Sequence, residues 1–332
     1  MARPRGIEAA VAAVDEAAGD TAAKLADGFD AANPLTAAGP AALWPGLALA
    51  LAGSIGFSGK AIIIKLAYRH GVDAVTLIMY RMLFALPLFL LLAWWAGRGK
   101  APLTRRDLMA VGGLGFCGYY LSSTLDFLGL QYVSASLERL ILYLNPTLVL
   151  FMGALLWRQP VRPRQLAALA VSYAGVLLVF SHEVTLAGSQ VALGAALIFG
   201  SAVTYAVYLS FSGNEVRRLG ALRLTGWATS VACVLCLLQF AVLRPLASAV
   251  VAPQVIWLSV LNALVCTFAP VLMVMMAVER IGATLTAQTG MVGPMSTIIM
   301  GVLVLGEPFN AWIGAGTLLV LTGVWLLARV RH

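Results

Sequence analysis

Five ionisable side chains sit inside apolar stretches of this 332-residue chain: Lys60, Arg81, Asp126, Glu138 and Arg139. Groups so placed could do three kinds of chemistry. They could neutralise one another in a buried network, hold the carboxylate and amine of a small zwitterion, or bind a coupling proton or cation. Lys60 also lies in the stretch "GSIGFSGKA" (53–61), which approaches a phosphate-binding loop and contains a Gly-x-Ser-Gly at Gly56 to Gly59. Neither of those readings survives the spacing. A nucleotide loop needs four residues between its glycines and a Ser or Thr after the lysine, whereas five residues separate Gly53 from Gly59 and Ala61 follows Lys60. A serine nucleophile needs a histidine base within reach, and His70, His182 and His332 all fall at loops or at the terminus. Cys117, Cys233, Cys236 and Cys266 lie in apolar runs, and the Cys-x-x-Cys at 233–236 has no second cluster to complete a metal site. No catalytic residue, cofactor or metal is therefore expected.

The elements that must position these charges are membrane helices. The chain is 61% hydrophobic and 11% charged, against about 25% charged in ordinary soluble domains. So much apolar surface calls for a lipid bilayer as solvent. Ten stretches are long enough to cross about 30 Å of hydrocarbon: 44–68, 73–96, 107–131, 133–157, 163–181, 190–212, 221–244, 253–278, 281–305 and 310–329. Residues 1–43 form a separate tail rich in Ala, Asp and Gly, expected to be disordered or weakly helical. Its apolar run "AAVAAV" ends at Asp15 and Glu16, too short for a signal peptide.

With the N-terminus placed in the cytoplasm, 13 loop cations fall inside, from Arg98 and Lys100 to Arg329 and Arg331, and only Arg69 and Arg244 outside. That asymmetry predicts a cell (inner) membrane protein with both termini cytoplasmic. Trp44, Trp94, Trp95, Trp157 and Trp325 fall near the inner interface, and Trp257 and Trp312 near the outer one. The cations are spread over short loops and form no stripe, so nucleic acid is not an expected partner.

An offset of 148 residues aligns Pro146 with Pro294, Pro160 with Pro308, Gly175 with Gly323, Gly46 with Gly194, and Met152-Gly153 with Met300-Gly301. Two repeats of five helices follow, 44–182 and 190–330. Five is odd, so the second repeat enters the membrane from the opposite side. The expected fold is an all-α integral membrane protein, ten transmembrane helices in two inverted five-helix repeats, an arrangement typical of secondary transporters. Counting about 1.5 Å per residue from the helix ends puts the five charges in one layer, roughly 8 to 12 Å below the outer surface. Their offset partners are Tyr208, Thr229, Val274, Thr286 and Ala287, so the charge belongs to one repeat.

These charges are the candidates for substrate binding or coupling, with a structural helix-locking network as the competing reading. Lys65, only about three residues from its helix end, can snorkel to the interface. Candidate cavity-lining residues are Phe57 with its offset partner Tyr205, Tyr119, Tyr120 with its partner Phe268, Tyr143, Asn145 and Gln288. The aromatic ones could equally be packing. Pro146 and Pro294 free backbone carbonyls one turn earlier, near Leu142 and Gly290, where exposed backbone is tolerated only against protein or a polar cavity. The glycines of 53–61 and of "GGLGFCG" (112–118) provide slim helix faces.

Three segments carry a family resemblance: "KLAYRHGVDAVTLIMYRMLFA" (65–85), "LGLQYVSASLERLILYLNPTLVLFMGALLW" (128–157) and "AVERIGATLTAQTGMVGPMSTIIMGVLVLGEPF" (277–309). The last has a helix proline followed by a Gly-Glu pair, Gly306-Glu307, where the first half reads Arg158-Gln159. Across 44–330 the chain resembles the drug/metabolite transporter superfamily, in its ten-helix branch with two EamA-type domains. The resemblance implies a secondary transporter of a small metabolite, an amino acid or related compound, with export as the favoured direction. A passive channel or facilitator and a non-transporting structural membrane protein are the alternatives.

Overall fold

A computed structural model describes residues 40–157, 161, 163–188, 190–290 and 292–330. Most of the expected tail, and Arg158 to Pro160, lie outside the described residues. The described chain is helical throughout. Its helices are α1 (Pro40–Tyr68), α2 (Ala74–Gly97), α3 (Arg105–Gly115), α4 (Ser122–Gly129), α5 (Ala135–Leu142), α6 (Asn145–Trp157) and α7 (Pro163–Ala187). They continue with α8 (Gln190–Leu219), α9 (Ala221–Leu243), α10 (Pro253–Ala263), α11 (Ala269–Gly290), α12 (Val292–Met300) and α13 (Ala311–Val330). Among the described residues eight stretches are long and apolar enough to cross a membrane: Leu43–Tyr68, Ala74–Gly97, Arg105–Gly129, Ala135–Leu156, Pro163–Thr185, Gln190–Gly213, Ala221–Leu243 and Pro253–Ala277. Two shorter apolar helices follow, Met295–Leu305 and Ala311–Leu326. Large apolar side chains such as Leu91, Leu155, Leu238 and Leu303 are exposed on the outside of the bundle, as lipid-facing positions would be.

Local chemistry sets the helix ends. Asp73 accepts from the N–H groups of Val75 and Thr76 at 3.0 and 3.2 Å and starts α2. Thr104 and Asp107 form a reciprocal capping box at α3, and Ser134 accepts from Leu137 N–H at 2.9 Å to start α5. The third and eighth stretches are each interrupted by a π-helical turn, at Phe116–Leu121 and Leu264–Phe268. Their first residues are related by the 148-residue offset.

Packing recurs under that same offset. A Cβ at Gly46 would lie 2.3 Å from Ile281 Cγ2, and one at Gly194, its partner, 2.8 Å from Val133 Cγ1. A Cβ at Gly175 would lie 2.6 Å from the Gly316 carbonyl oxygen, and one at Gly323 2.7 Å from that of Ala168. The slim face of "GSIGFSGKA" is used as expected: Cβ atoms on Gly53 and Gly56 would sit 2.9 Å from Val274 Cγ2 and 2.7 Å from Pro270 Cγ. Of the glycines at 112–118, Gly115 and Gly118 meet Ala228 and Tyr208, while Gly112 and Gly113 meet nothing.

The contacts of α1 with α11 and α12 change sense along the chain. Gly56 meets Pro270, Gly53 meets Val274 and Gly46 meets Ile281, an antiparallel progression. Ser54 then bonds Gly290 and Ser58 bonds Gly293, a parallel one. The contacts of α1 thus run antiparallel as far as Ile281 and parallel at Gly290 and Gly293.

Candidate functional site

A cavity of about 380 Å³ lies among helices of both halves. Its wall takes Ser54, Phe57, Ser58 and Lys60 from α1, Arg81 and Phe89 from α2, and Tyr119, Ser122 and Asp126 from the third stretch. The fourth stretch adds Arg139, Tyr143 and Asn145, and the second half adds Ser201, Tyr205, Thr229, Thr267, Gly290 and Gly293.

The five charges divide into one trio and two separate arginines. The Lys60 ammonium holds Asp126 Oδ2 at 2.5 Å and Glu138 Oε1 at 3.2 Å. Both carboxylates are deeply buried, and one lysine between them carries half their charge. Arg81 is buried too; its Nε–H donates to Thr267 Oγ1 at 3.1 Å and its guanidinium lies 5.3 Å from the Phe127 ring. Arg139 donates to Thr297 Oγ1 at 2.9 Å and to the Phe57 carbonyl at 3.0 Å. Neither arginine makes an ion pair among the described residues. Each is held by a threonine of the opposite half.

Among the described residues, four buried polar atoms of residues on this wall lack a hydrogen-bond partner: Arg81 Nη1, Asp126 Oδ1, Asn145 Oδ1 and Thr229 Oγ1. Unpaired buried polar atoms are uncommon, and each costs about 1–3 kcal/mol. The residues that bear them line the cavity, and the four atoms themselves are buried behind its surface.

Of the remaining sequence candidates, Phe57, Tyr119, Tyr143, Asn145 and Tyr205 line the cavity. Tyr120 and Phe268 do not: Tyr120 packs on Phe116 at 5.5 Å and Phe268 edge-on to Phe89 at 5.4 Å. The Gln288 side chain lies outside the described residues. Tyr119 pairs hydroxyls with Tyr208 at 3.2 Å, and Tyr205 stacks on Tyr208 at 5.6 Å. The carbonyl of Gly290, four residues before Pro294, accepts from Tyr143 Oη at 2.8 Å and Ser54 Oγ at 2.9 Å. Two hydroxyls thus replace the N–H that proline lacks. Serines and threonines make up much of the wall and were not singled out in the sequence, because in apolar helices they commonly bond their own backbone. Among the described residues no group of three or more His, Cys, Asp or Glu is placed to hold a metal ion.

Comparison with known proteins assigns the chain. The EamA-like transporter family matches twice, over residues 44–181 and 192–329. This protein belongs to the EamA-like transporter family. The chain is 31% identical over 291 residues to the uncharacterized transporter YcbK of Bacillus subtilis, covering 82% of this chain and 90% of that one. It is 25% identical over 278 residues to an uncharacterized transporter of Archaeoglobus fulgidus, covering 83% and 94%. A solved crystal structure superposes over 86% of this chain and 98% of its own, with a TM-score of 0.60 and 16% identity, a likeness of fold alone. The family and both relatives are named as transporters.

In this EamA-like transporter the Gly306-Glu307 pair has a definite structural use. Gly306 takes φ of 72° and ends the last π-helical turn, a conformation natural to glycine. The chain then delivers the Glu307 carboxylate to the start of α5, where it accepts from Ala135 N–H at 2.8 Å, Ser136 N–H at 3.3 Å and Ser136 Oγ at 3.0 Å. Glu183 accepts from the Ser134 hydroxyl and, at 3.3 Å, from its N–H. Two carboxylates at a helix N-terminus suit the dipole there. Arg69 adds a 2.5 Å bond to the Leu305 carbonyl, so this end of the molecule ties the halves together. The sequence marked the pair but not its target, which is 171 residues away.

Proposed function

We propose that this chain is a secondary active transporter that carries a small carboxylate-bearing metabolite, an amino acid or related compound, by alternating access between two inverted five-helix repeats. The two repeats are residues 44–182 and 190–330, in a cell membrane, with both termini in the cytoplasm. The observation that carries the reading is that four residues with an unpaired buried polar atom line one cavity shared by both halves. A carboxylate takes Arg81 Nη1, and an amine donates to Asp126 Oδ1 and Asn145 Oδ1. The recurrence of glycine contacts and π-helical turns under one offset supports the repeat. The antiparallel approach of α1 to the eighth stretch, matched by that of the third stretch to α8 through Gly118–Tyr208 and Gly129–Ile198, supports its inverted sense.

Coupling between occupancy and movement follows from the arginines. Arg81 is held by Thr267 and Arg139 by Thr297, each across the boundary between halves. A substrate carboxylate that draws either arginine away from its threonine loosens one half from the other. The Lys60 trio lies wholly in the first half and moves with it. Asp126, which lines the cavity with one oxygen on Lys60 and the other buried and unpaired, is the group that would exchange a proton or meet the amine. Export is the direction favoured by the family resemblance.

The test is flux in liposomes containing the purified protein, with a panel of labelled amino acids, nucleosides and vitamins, with and without a pH gradient. Saturable uptake, accelerated by unlabelled substrate on the far side and weakened by Arg81→Leu, is the expected result. Flux rising linearly with concentration would replace the carrier with a passive channel. Absence of flux for the whole panel would favour a non-transporting structural role.

A further inference from the structure

A second pocket, of about 340 Å³, lies away from the central cavity, between the end of α2 and the start of α9. Trp95, Lys100, Gly220, Leu222, Arg223 and Met275 are on its wall, which includes no carboxylate among the described residues. Three features of it point to one kind of ligand.

The first is a bare helix N-terminus. α9 begins after Gly220, whose φ of 86° excludes most other residues, and neither a side-chain cap nor an acidic residue is present in its first turn. Leu224 N–H makes the first helical bond, to Gly220 at 3.0 Å, so the N–H groups of Ala221, Leu222 and Arg223 precede the ladder. Such groups, with the positive end of the dipole, favour an anion. By contrast α2, which starts at the offset-related place in the first half, is closed by Asp73.

The second is a buried cation with spare capacity. Arg223 is 8% exposed; it donates to the Ala101 carbonyl at 2.8 Å, while its Nε has no partner among the described residues. The third is Lys100, whose ammonium lies 3.2 Å from where a Cβ on Gly220 would be. A cation is thus already drawn up to the open helix end. Alongside, Trp94 and Trp95 are each 57% exposed, and the Arg98 guanidinium lies 3.7 Å from the Trp94 ring. Exposed tryptophans next to a cluster of cations are the residues of a headgroup zone.

The geometry points to a binding site for a phosphate-bearing anion at this helix end, with an anionic phospholipid headgroup as the ligand that the flanking tryptophans favour. Lys100, Arg223 and the first-turn N–H groups of α9 hold the phosphate. Leu222 and Met275 give the glycerol and the upper acyl carbons an apolar wall. This site is independent of the transport reading and stands whatever the central cavity carries.

The test uses the purified full chain in detergent micelles, with native mass spectrometry of phosphatidylglycerol and phosphatidylcholine binding. Preferential retention of phosphatidylglycerol is expected, weakened about fivefold by Lys100→Gln and by Arg223→Gln, one charge each. Arg106→Gln, on a neighbouring exposed cation, should leave it unchanged. Lys100 is exposed, so its variant keeps the test decisive if Arg223→Gln fails to fold. Stabilisation of lipid-free protein by inorganic phosphate, lost in the same two variants and without any phosphatidylglycerol preference, would support the phosphate site with a soluble source. Equal binding of the two lipids without that stabilisation, or equal weakening by Arg106→Gln, would overturn it.

Discussion

At offset-related positions the first half carries Lys60, Arg81, Asp126, Glu138 and Arg139, and the second carries Tyr208, Thr229, Val274, Thr286 and Ala287. The frameworks nevertheless match, down to Gly46 on Ile281 and Gly194 on Val133. The difference separates what a repeat must keep from what it is free to change. Close helix contacts tolerate only small residues wherever they recur, so both copies retain them. Charge obeys another constraint: each buried ion needs a partner, and symmetric duplication would crowd ten ions around one cavity. One half therefore supplies the ions, and the other supplies neutral hydroxyls such as Thr267 and Thr297 to orient them.

The sharpest way to break this contrast is to compare Lys60→Met with Tyr208→Phe. The first leaves Asp126 and Glu138 without their shared cation and should lower stability by about 3–5 kcal/mol. The second removes one hydroxyl from the Tyr119 pair and should lower it by about 0.5–1.5 kcal/mol. Thermal unfolding in detergent measures both, and equal losses would refute the asymmetry. Next, Glu307→Gln gives the second half the residue that the first has at Gln159. Loss of charge from the cap on Ala135 and Ser136 should cost about 1.5–3 kcal/mol, seen as a lower unfolding temperature; no change would show that Glu307 is dispensable. Gly46→Val and Gly194→Val probe the framework instead. Each should destabilise by about 1–3 kcal/mol, and a large effect at one with none at the other would show that the shared packing is not equally used.

The smallest effect is expected at Asp73, where α2 has a cap and α9 has none. Asp73→Ala should cost about 1 kcal/mol, with Asp73→Asn largely retaining the cap. Burial pushes the Asp73 carboxyl up, but hydrogen bonds from Thr76 and the nearby Arg244 guanidinium outweigh it and hold the group below its ordinary value of 3.8. Because the folded-state value is depressed, its stabilisation is present above that ordinary value and is lost as pH falls through the lowered one. Acid unfolding curves of the wild type and Asp73→Asn should therefore converge only under strongly acidic conditions. Convergence near neutral pH would contradict the cap.

Much of the framework was legible in the sequence because it follows from length, hydropathy and a repeated spacing. The cavity was legible in part. Depth counting gathered five charges into a layer, and Lys60, Asp126 and Glu138 do meet. It could not say that the arginines would turn to threonines of the other half, since depth fixes height and not facing direction. The freed carbonyl at Gly290 was foreseen from Pro294, yet its two donors, Ser54 and Tyr143, come from other helices. Tyr119 and Tyr120 were indistinguishable in the sequence, but neighbours on a helix differ by about 100° in direction, and only Tyr119 reaches the wall. Glu307 was visible as part of a pair, while its cap on α5 depends on tertiary placement alone.

The π-helical turn at Phe116–Leu121 sets the phase of everything beyond it. A π turn holds one residue more than the α ladder around it, so it acts as a built-in insertion. Closing that turn into ordinary α-helix with every residue kept would rotate Ser122 to Gly129 by about 100°, and Asp126 would swing away from Lys60 with no change in its own identity. Deleting one residue there, for example Cys117, would instead remove the bulge and leave the residues beyond it in phase. The electrostatics of the cavity thus hang on a counting rule in the backbone: the extra residue and the π turn that absorbs it belong together, and only the loss of one without the other moves the charge.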